Sequence, residues 1–361
     1  MQRLLSVPIL LLALFCTAPA CYAQSAIFYS ELHTFNFGGP LPLHQLINNL
    51  EGDVFPGTEK NALSHFDWEL GMKISSGWKI GAFVRHDYYT RFTPDTIRLI
   101  HQDKNDLPVD TNQHYDIWLK IHHLRADGIR LHLPEFAYQS LQVGLSISLF
   151  HARGLMDGEI LGQIDTTNNS FAGLLNLDYS YDRDRLLNRS VNSPTGWGLG
   201  LDLKIHWDIS PNIDVDFQLK DIAARVRWQK APYTTAQLTS STVNFDANGF
   251  IETTPALSGF EGYRSYTQKL PLQSKLQLLY RLSKQYGVLV IDELYATEHF
   301  PSFGFKRWNG DSTHSLAWQP RTQTLQFGWE NETYRLKLSA DHINPKQIKT
   351  FGLEFSVLFG A

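Results

Sequence analysis

Cysteine is almost absent from this sequence. The chain has two cysteines, Cys16 and Cys21, and both lie within the first 23 residues. If those residues are removed after export, the mature chain has no cysteine. That excludes disulfide bonds and thiolate metal sites.

The first 23 residues have the features of an export signal. Arg3 provides the positive charge, residues 4–15 form a short apolar run, and residues 21–23 end in a small residue as a cleavage site does. We therefore predict a signal peptide over 1–23. An alternative interpretation makes Cys21 a lipidated residue, although the preceding Ala18-Pro19-Ala20 is a poor lipidation signal.

Long hydrophobic runs and an excess of positive charge are also lacking. The leader run is shorter than the ~20 residues of a spanning helix, and no later run is continuous over helical length. Without Arg3 the chain has 31 basic and 36 acidic residues, a net charge of −5. This balance argues against nucleic acid as a partner.

Catalytic and metal-binding motifs are missing as well. Fourteen histidines occur, three of them in the stretch "IHHLRADGIRLH" (His122, His123 and His132), but no HExxH motif accompanies them. His122 and His123 point to opposite faces if this stretch is a strand, so they cannot easily share a metal ion. We predict no catalytic residue, no metal ligand and no cofactor.

Aromatic residues and two-residue alternation are abundant instead. The chain has 22 Phe, 15 Tyr and 9 Trp. In "TGWGLGLDLKIHWD" (195–208), every second residue from Trp197 to Trp207 is apolar, and the residues between them include Asp202, Lys204 and His206. Period-two alternation indicates a β-strand with one apolar and one polar face.

Strand length and aromatic placement favour a membrane barrel over a soluble exported sandwich. The alternating runs are about 9–11 residues long, as in a tilted membrane strand, and Trp197 and Trp207 are spaced to reach both edges of an apolar band about 25 Å tall. Tryptophan favours those edges. We predict lipid-facing aromatic anchors at Trp68, Trp78, Trp197 and Trp207.

The polar faces predict a wet lumen. Charged side chains alternate with the apolar residues on several strands, and in a membrane barrel they face inward. The predicted lumen-lining residues are His65, Asp67, Glu69, Lys73, Lys79, Arg85, Asp87, Asp202, Lys204, His206, Asp214 and Asp216. They serve either as a solute path or as a wall of neighbouring Lys–Asp pairs that stiffens the barrel.

The predicted fold class is all-β: a transmembrane antiparallel β-barrel of about 14 strands, with a range of 12–16. We expect residues 24–62 to form an N-terminal segment that serves as a plug, with a helix at 43–50, and residues 63–361 to form the barrel. A second helix is expected after the N-cap Thr93. Long polar connections are expected at 91–112, 153–169, 183–194 and 231–268.

One feature of this strand count conflicts with barrel rules. Short turns should be periplasmic and long loops extracellular, with both termini periplasmic. The count places the tight turn Ser76-Gly77 outside and the long connection 91–112 in the periplasm. An extra strand within 24–36 would reverse both.

The last strand resembles the assembly signal of Gram-negative outer-membrane barrels. The pattern begins with a polar residue, has a glycine at its third position and continues with alternating hydrophobic residues. Here these are Thr350, Gly352, Phe355, Val357 and Phe359. The chain adds Gly360-Ala361 after the aromatic residue that normally ends the pattern. With the signal peptide and the alternation, the resemblance covers nearly the whole chain at the level of architecture.

A narrower resemblance concerns one hairpin. The block "GWGLGLDLKIHWDISPNIDVDFQLKDI" (196–222) is similar to a hairpin of FadL-like barrels, the 14-stranded family that passes hydrophobic compounds. Those proteins carry an N-terminal plug. The chain lacks their usual Asn-Pro-Ala element and is shorter than typical members, and other bacterial barrels share this hairpin pattern.

These features predict passive transport of a small solute across the bacterial outer membrane, and the FadL-like resemblance implies a hydrophobic one. The alternatives are a non-conducting structural or secretion-associated barrel and a lipid-modifying outer-membrane enzyme. Expected partners are outer-membrane lipid, lipopolysaccharide and the barrel assembly machinery. The arginines of "DRDRLLNRS" (182–190) are candidates for contact with lipopolysaccharide phosphates, and the solute itself does not follow from the sequence.

Overall fold

The computed structural model describes residues 27–167, 170–184, 189–239, 243–245, 251–253 and 256–359. The predicted signal peptide, residues 1–23, lies outside the described residues. Part of the arginine-containing loop 182–190 does so as well.

The described residues form strands with two helices between them. The helices are α1 (Leu43–Ile47) and α2 (Pro94–Lys104). The first ten strands are β1 (Ile27–Phe37), β2 (Asn61–Lys73), β3 (Lys79–Phe92), β4 (His114–His132), β5 (Phe136–Tyr138), β6 (Leu141–Thr167), β7 (Ser170–Tyr181), β8 (Thr195–Ser210), β9 (Ile213–Lys220) and β10 (Arg225–Thr239). The others are β11 (Val243–Phe245), β12 (Ile251–Thr253), β13 (Ala256–Lys269), β14 (Gln273–Arg281), β15 (Tyr286–Tyr295), β16 (Glu298–Asn309), β17 (Ser312–Gln319), β18 (Thr324–Glu330), β19 (Tyr334–Ala340) and β20 (Thr350–Phe359).

Antiparallel pairing closes the sheet into a barrel. β1 pairs with β2 along one edge and with β20 along the other, so the first and last strands meet. The closed path of hydrogen-bonded neighbours runs through 16 strands. β11 and β12 form a separate two-stranded sheet.

The strand number lies at the upper end of the predicted range because some strands share one position in the wall. β7 and β8 both pair with β6 and both pair with β10, so they follow one another along the same track. β9 and β10 are likewise successive partners of β8. A path around the barrel that goes from β6 through β8 and β9 to β14, and so leaves out β7 and β10, therefore crosses 14 strands.

The N-terminal segment is part of the wall, which corrects its predicted assignment to a plug. Residues 27–37 form β1, and the barrel therefore begins at residue 27 and not at residue 63. The reason is that the unpaired edges of β2 and β20 need backbone partners, and β1 supplies both. This is the extra strand that the turn rule required.

With β1 in place, the turn at Ser76-Gly77 lies at the same end of the barrel as both termini. Ile27 pairs with Lys73, and Phe28 pairs with Phe359. Gly77 has φ +87, the left-handed conformation that this tight turn requires. We refer to this end as the terminal end and to the opposite one as the far end.

On the terminal-end side of the barrel, the outer face of the wall is a continuous apolar band. On β8, Trp197, Leu199 and Trp207 are exposed. Gly196, Gly198 and Gly200, which alternate with the first two of these residues, are buried. Exposed apolar residues also occupy the same face of β6, from Leu145 to Leu149. An apolar outer surface of this size matches a wall in contact with lipid.

Five strands continue past the apolar band at the far end. β4, β6, β7, β10 and β13 pair well beyond His151. Residues 153–167, 231–239 and 256–268 were expected to be polar connections and instead belong to these strands. The sequence signal was weak there because neither face of this extension contacts lipid, so the outer-face positions are no longer uniformly apolar.

The two helices form a collar on the outside of the far end. Thr93 caps α2 as expected, and its side chain accepts a hydrogen bond from the Thr96 amide at 3.3 Å. Ile97 packs with Ala62 and Phe92, which occupy outward positions of β2 and β3. No helix within the described ranges is both long and apolar enough to cross a membrane.

Close packing of Gly198 against Phe150 predicts a local sensitivity. A Cβ on Gly198 would lie 2.2 Å from the Phe150 ring, whereas one on Gly144 would find its nearest atom at 3.5 Å. We expect Gly198→Ala to lower the free energy of unfolding by about 1–3 kcal/mol, because the buried ring must move. Urea unfolding of the folded barrel, followed by heat-modifiable gel migration, measures this.

Gly144→Ala, on the neighbouring strand, is the matched control. We expect it to leave the free energy of unfolding unchanged or to raise it slightly, since alanine restricts the unfolded chain. Equal destabilisation by both substitutions would contradict the packing argument.

Candidate functional site

The strand register turns all of the predicted lumen residues toward the inner face. Each occupies a position that alternates with the exposed apolar residues of its strand. They are His65, Asp67, Glu69, Lys73, Lys79, Arg85, Asp87, Asp202, Lys204, His206, Asp214 and Asp216. Their role in solute passage stays a prediction.

Arg85 is the centre of one buried ion-pair cluster. Its two terminal nitrogens bond the carboxylate of Asp221 at 2.8 and 2.5 Å, and its Nε bonds Asp87. Asp87 also contacts His65 Nδ1 at 2.6 Å. Because Arg85 lies on β3 and Asp221 follows β9, this cluster connects two distant parts of the wall across the lumen.

Arg130 is the centre of a second, adjoining cluster. It bonds Glu69 at 2.5 Å and Asp67 at 3.0 Å. Glu69 also accepts hydrogen bonds from Tyr29 at 2.5 Å, and Asp67 contacts Lys220 at 3.3 Å. Buried charges of both signs therefore compensate one another, as buried charges must.

A third ion pair bridges nearly opposite walls. Lys275 on β14 contacts Glu293 on β15 at 2.6 Å and also contacts Glu354 on β20. Lys337 approaches Glu354 at 3.3 Å. β14 and β20 are six strands apart along the ring, so these direct contacts cross the lumen.

Sequence reasoning missed several members of these clusters. Arg130, Lys220 and Asp221 were not predicted, and neither were Lys275 and Glu354. Arg130 and Lys275 do alternate with apolar residues (Leu131 and Leu276), so the period-two pattern could have identified them. At Asp221 the period-two pattern slips, which indicates a bulge at that position, but the slip does not show that its carboxylate meets Arg85.

An apolar cluster occupies the inner face beside the Arg85 cluster, with Phe83 on the terminal side of Arg85 along β3 and Val226 and Trp228 toward the far end. We call it the inner apolar cluster. Its larger members are Phe83, Leu124, Phe150, Leu155, Val226, Trp228 and Leu270. Along β10, Val226 and Trp228 lie nearer the far end than Lys220 and Asp221. Trp228 is fully buried and donates a hydrogen bond to Gln268 at 3.1 Å.

The wall next to the inner apolar cluster is interrupted. Residues 221–224 separate β9 from β10, and residues 270–272 separate β13 from β14. Asp221 has φ +63, and its amide bonds the side chain of Asp202 at 2.9 Å instead of a ladder partner. We call these two neighbouring segments the wall break.

Other predicted residues lie near the terminal end, apart from these clusters. His206 contacts Asp216 at 2.8 Å, and Asp214 pairs with Arg281 at 2.7 Å. Lys79 lies over the ring of Tyr29 at 5.5 Å. The two ion pairs join neighbouring strands, whereas the contact of Lys79 with Tyr29 joins β3 to β1, with β2 between them.

The histidines are dispersed. His122 lies on the inner face 3.6 Å from Asp157, whereas His123 lies on the outer face with its Nε2 2.8 Å from that of His86, as the alternation predicts. His114, in the extension, bonds Asp165 at 2.6 Å, and this bond raises the pKa of the histidine. Among the residues that the structure describes, no group of three or more metal-binding side chains converges.

The predicted aromatic anchors lie on the outer face. Trp78, Trp197 and Trp207 are exposed, and Trp68 is half-buried with its Nε1 bonded to Ser30. In the last strand, Thr350 is buried at the far end, and Phe355, Val357 and Phe359 share the outward face with Phe351 and Leu353.

No protein-family model and no curated protein matches this chain. The solved structures to which this chain is similar include two toluene transporters and a monoaromatic hydrocarbon channel. The Pseudomonas putida toluene transporter TodX is 10% identical, with a TM-score of 0.40 over 96% of this chain and 92% of that one. CymD, a monoaromatic hydrocarbon channel, is 10% identical, with a TM-score of 0.41 over 94% and 90%. The Ralstonia pickettii toluene transporter TbuX is 8% identical, with a TM-score of 0.35 over 94% and 90%.

The closed register, the apolar outer band and the charged inner face make this chain a transmembrane β-barrel of the outer-membrane type. This confirms the predicted fold class. Ion pairs that cross the lumen, such as Arg85–Asp221 and Lys275–Glu354, also distinguish it from a barrel with an unobstructed lumen.

Burial of Arg85 predicts a large effect of its removal. Arg85→Met leaves Asp221 and Asp87 buried without their cation, and we expect the free energy of unfolding to fall by about 3–5 kcal/mol. Urea unfolding in phospholipid vesicles, followed by tryptophan fluorescence, measures it.

Arg335→Met is the matched control. Arg335 is half-exposed and contacts Glu330 at 3.3 Å, and Glu330 keeps Lys306 as a partner when Arg335 is lost. We expect a loss of about 0–1 kcal/mol. If the two variants lose the same amount, the Arg85 cluster does not stabilise the barrel.

Proposed function

We propose that this barrel passes a small hydrophobic solute across the outer membrane, passively and without a cofactor. The observation that carries the proposal is the inner apolar cluster, which places Phe150, Val226 and Trp228 on the inner face directly beside the wall break. In a water-filled channel these positions would be polar. Apolar side chains there suit an apolar solute, since transfer from water to such a surface is favourable.

The ion-pair clusters make an axial route unfavourable for such a solute. Beside the inner apolar cluster, Arg85 contacts Asp221 and Lys220 contacts Asp67, and both contacts cross the lumen. An apolar molecule that passes between these partners would leave buried charges unpaired, which costs several kcal/mol. The same contacts obstruct the bulk flow of ions and water.

The wall break offers the solute another way out. Residues 221–224 and 270–272 interrupt two adjacent strands, and exposed Ile222 and Leu272 flank the interruption on the outer face. A solute held at the inner apolar cluster is therefore separated from the apolar band by a segment whose backbone ladder is irregular. Two backbone bonds bridge it, from the Ile222 amide to the Leu201 carbonyl at 3.0 Å and from the Leu270 amide to the Ala224 carbonyl at 3.1 Å. We propose that the solute leaves the barrel through this segment.

Uptake of a monoaromatic hydrocarbon tests this proposal. We expect bacterial cells that produce the protein to take up labelled toluene faster than cells that do not. Leu270→Asn should reduce the difference several-fold, because Leu270 belongs to both the inner apolar cluster and the wall break, and a buried amide there disfavours an apolar ligand.

Leu289→Asn is the matched control. Leu289 is as deeply buried on the inner face, but it lies in a separate cluster with Leu279 and Ile291 on β14 and β15. Wild-type uptake in this variant supports the route through the wall break. Equal loss in both variants would indicate an axial route, and no uptake by the wild type would overturn the transport proposal.

Ion conductance gives an independent prediction. In planar bilayers the mature protein should show no large conductance steps, since contacts such as Lys275–Glu354 cross the lumen. Steps of the size of a general porin would contradict an obstructed lumen.

A further inference from the structure

A cluster of cationic side chains follows the edge of the apolar band that is nearer the far end, on one side of the barrel. The residues lie on β4, β6, β10 and β13, and all are exposed on the outer face. We call them the cationic arc: Arg125, Arg153, Arg225, Arg227 and Lys269.

Register places these side chains next to one another. Arg125 pairs with Gly154, beside the bulge that holds Arg153. On the next strands, Trp197 pairs with Arg227, and Arg225 pairs with Lys269. The arc therefore runs across neighbouring strands at the level of Trp197, the predicted interfacial anchor.

The arc begins where the apolar band ends. On β6 the outward residues are apolar from Leu145 to Leu149, and the first polar ones are His151 and Arg153. On β8 all outward residues from Trp197 to Trp207 are apolar. The cations thus occupy the boundary between lipid chains and the polar layer.

The arc is confined to one side. On β1–β3 and β15–β20, the outward positions hold one arginine or lysine among the described residues, Arg307, and it lies near the terminal end beside Tyr286. The asymmetry shows that a cationic edge is not a general property of this wall.

Most of the arc lacks an acidic partner in the protein. Arg153 pairs with Asp127 at 2.9 Å. Within the part of the chain that the structure describes, Arg125, Arg225, Arg227 and Lys269 form no salt bridge. These four exposed cations at a lipid boundary are therefore available to anions from outside the protein.

We propose that the cationic arc binds the phosphate groups of lipid A in the outer leaflet. With both termini in the periplasm, the far end is extracellular, so the arc lies at the level of the outer-leaflet headgroups. Arginine forms bidentate bonds with phosphate, and the apolar residues below the arc contact the acyl chains of the same molecule. The proposal depends on the barrel and its orientation and not on solute transport.

Lipid A binding by the detergent-solubilised full-length barrel tests the proposal. Native mass spectrometry compares bisphosphorylated lipid A with its dephosphorylated form on the wild type and on R125Q/R225Q/R227Q/K269Q. We expect the substitutions to weaken binding of the phosphorylated lipid by at least about tenfold, since cations near a lipid surface attract its anionic headgroups. The dephosphorylated lipid should bind weakly to both proteins.

The matched control removes four exposed cations elsewhere: K60Q/K284Q/R307Q/K346Q. It lowers the net charge equally and should bind phosphorylated lipid A as the wild type does. Heat-modifiable gel migration verifies that each variant is folded. Equal weakening in both variants would reduce the effect to net charge, and unchanged binding in the arc variant would overturn the proposal, as would equal binding of the dephosphorylated lipid.

Discussion

Backbone hydrogen bonding is the constraint on which this structure depends. Lipid offers no partner for an amide or a carbonyl group, so a wall of strands is stable in a membrane only when it closes. Here β1 closes it, because it pairs with β2 on one side and β20 on the other along nearly its whole length. The position of both termini and of the turn at Ser76-Gly77 follows from that closure.

Closure also creates an interior in which charged side chains must find partners among one another. The inner face carries full charges of both signs, and the register brings partners from distant strands together, as with Arg85 and Asp221 or Lys275 and Glu354. The Arg85–Asp221 pair is buried, so each of its members depends on the other for stability, whereas Lys275 and Glu354 are partly exposed. The lumen is thereby divided into charged and apolar regions.

The wall is not uniform around its circumference. The inner apolar cluster, the wall break and the cationic arc all involve the strands from β4 to β13, whereas β15–β20 form a regular series of hairpins. The irregular side combines an apolar inner surface, interrupted pairing and an outer edge of unpaired cations. Both the proposed solute route and the proposed lipid A site lie on that side.

Strand alternation alone determined the fold class and the direction in which side chains point. Trp197, Trp207 and the twelve inward polar residues are placed correctly because a strand has only two faces. Alternation by itself did not assign residues 27–37 to the wall. Only the rule on short turns and long loops indicated an extra strand within 24–36, and the pairing of β1 with β2 and β20 shows where it lies.

Which inward residues contact one another was decided by tertiary structure. The partners of Arg85 and Lys275 lie far away in sequence, and the stagger between strands that brings them together depends on the whole ring. The slip of the period-two pattern near Asp221 does indicate a bulge, but only the pairing of the strands shows that residues 270–272 are interrupted beside it. Sequence thus determined what faces lipid and what faces inward, and closure of the barrel decided how the interior is filled.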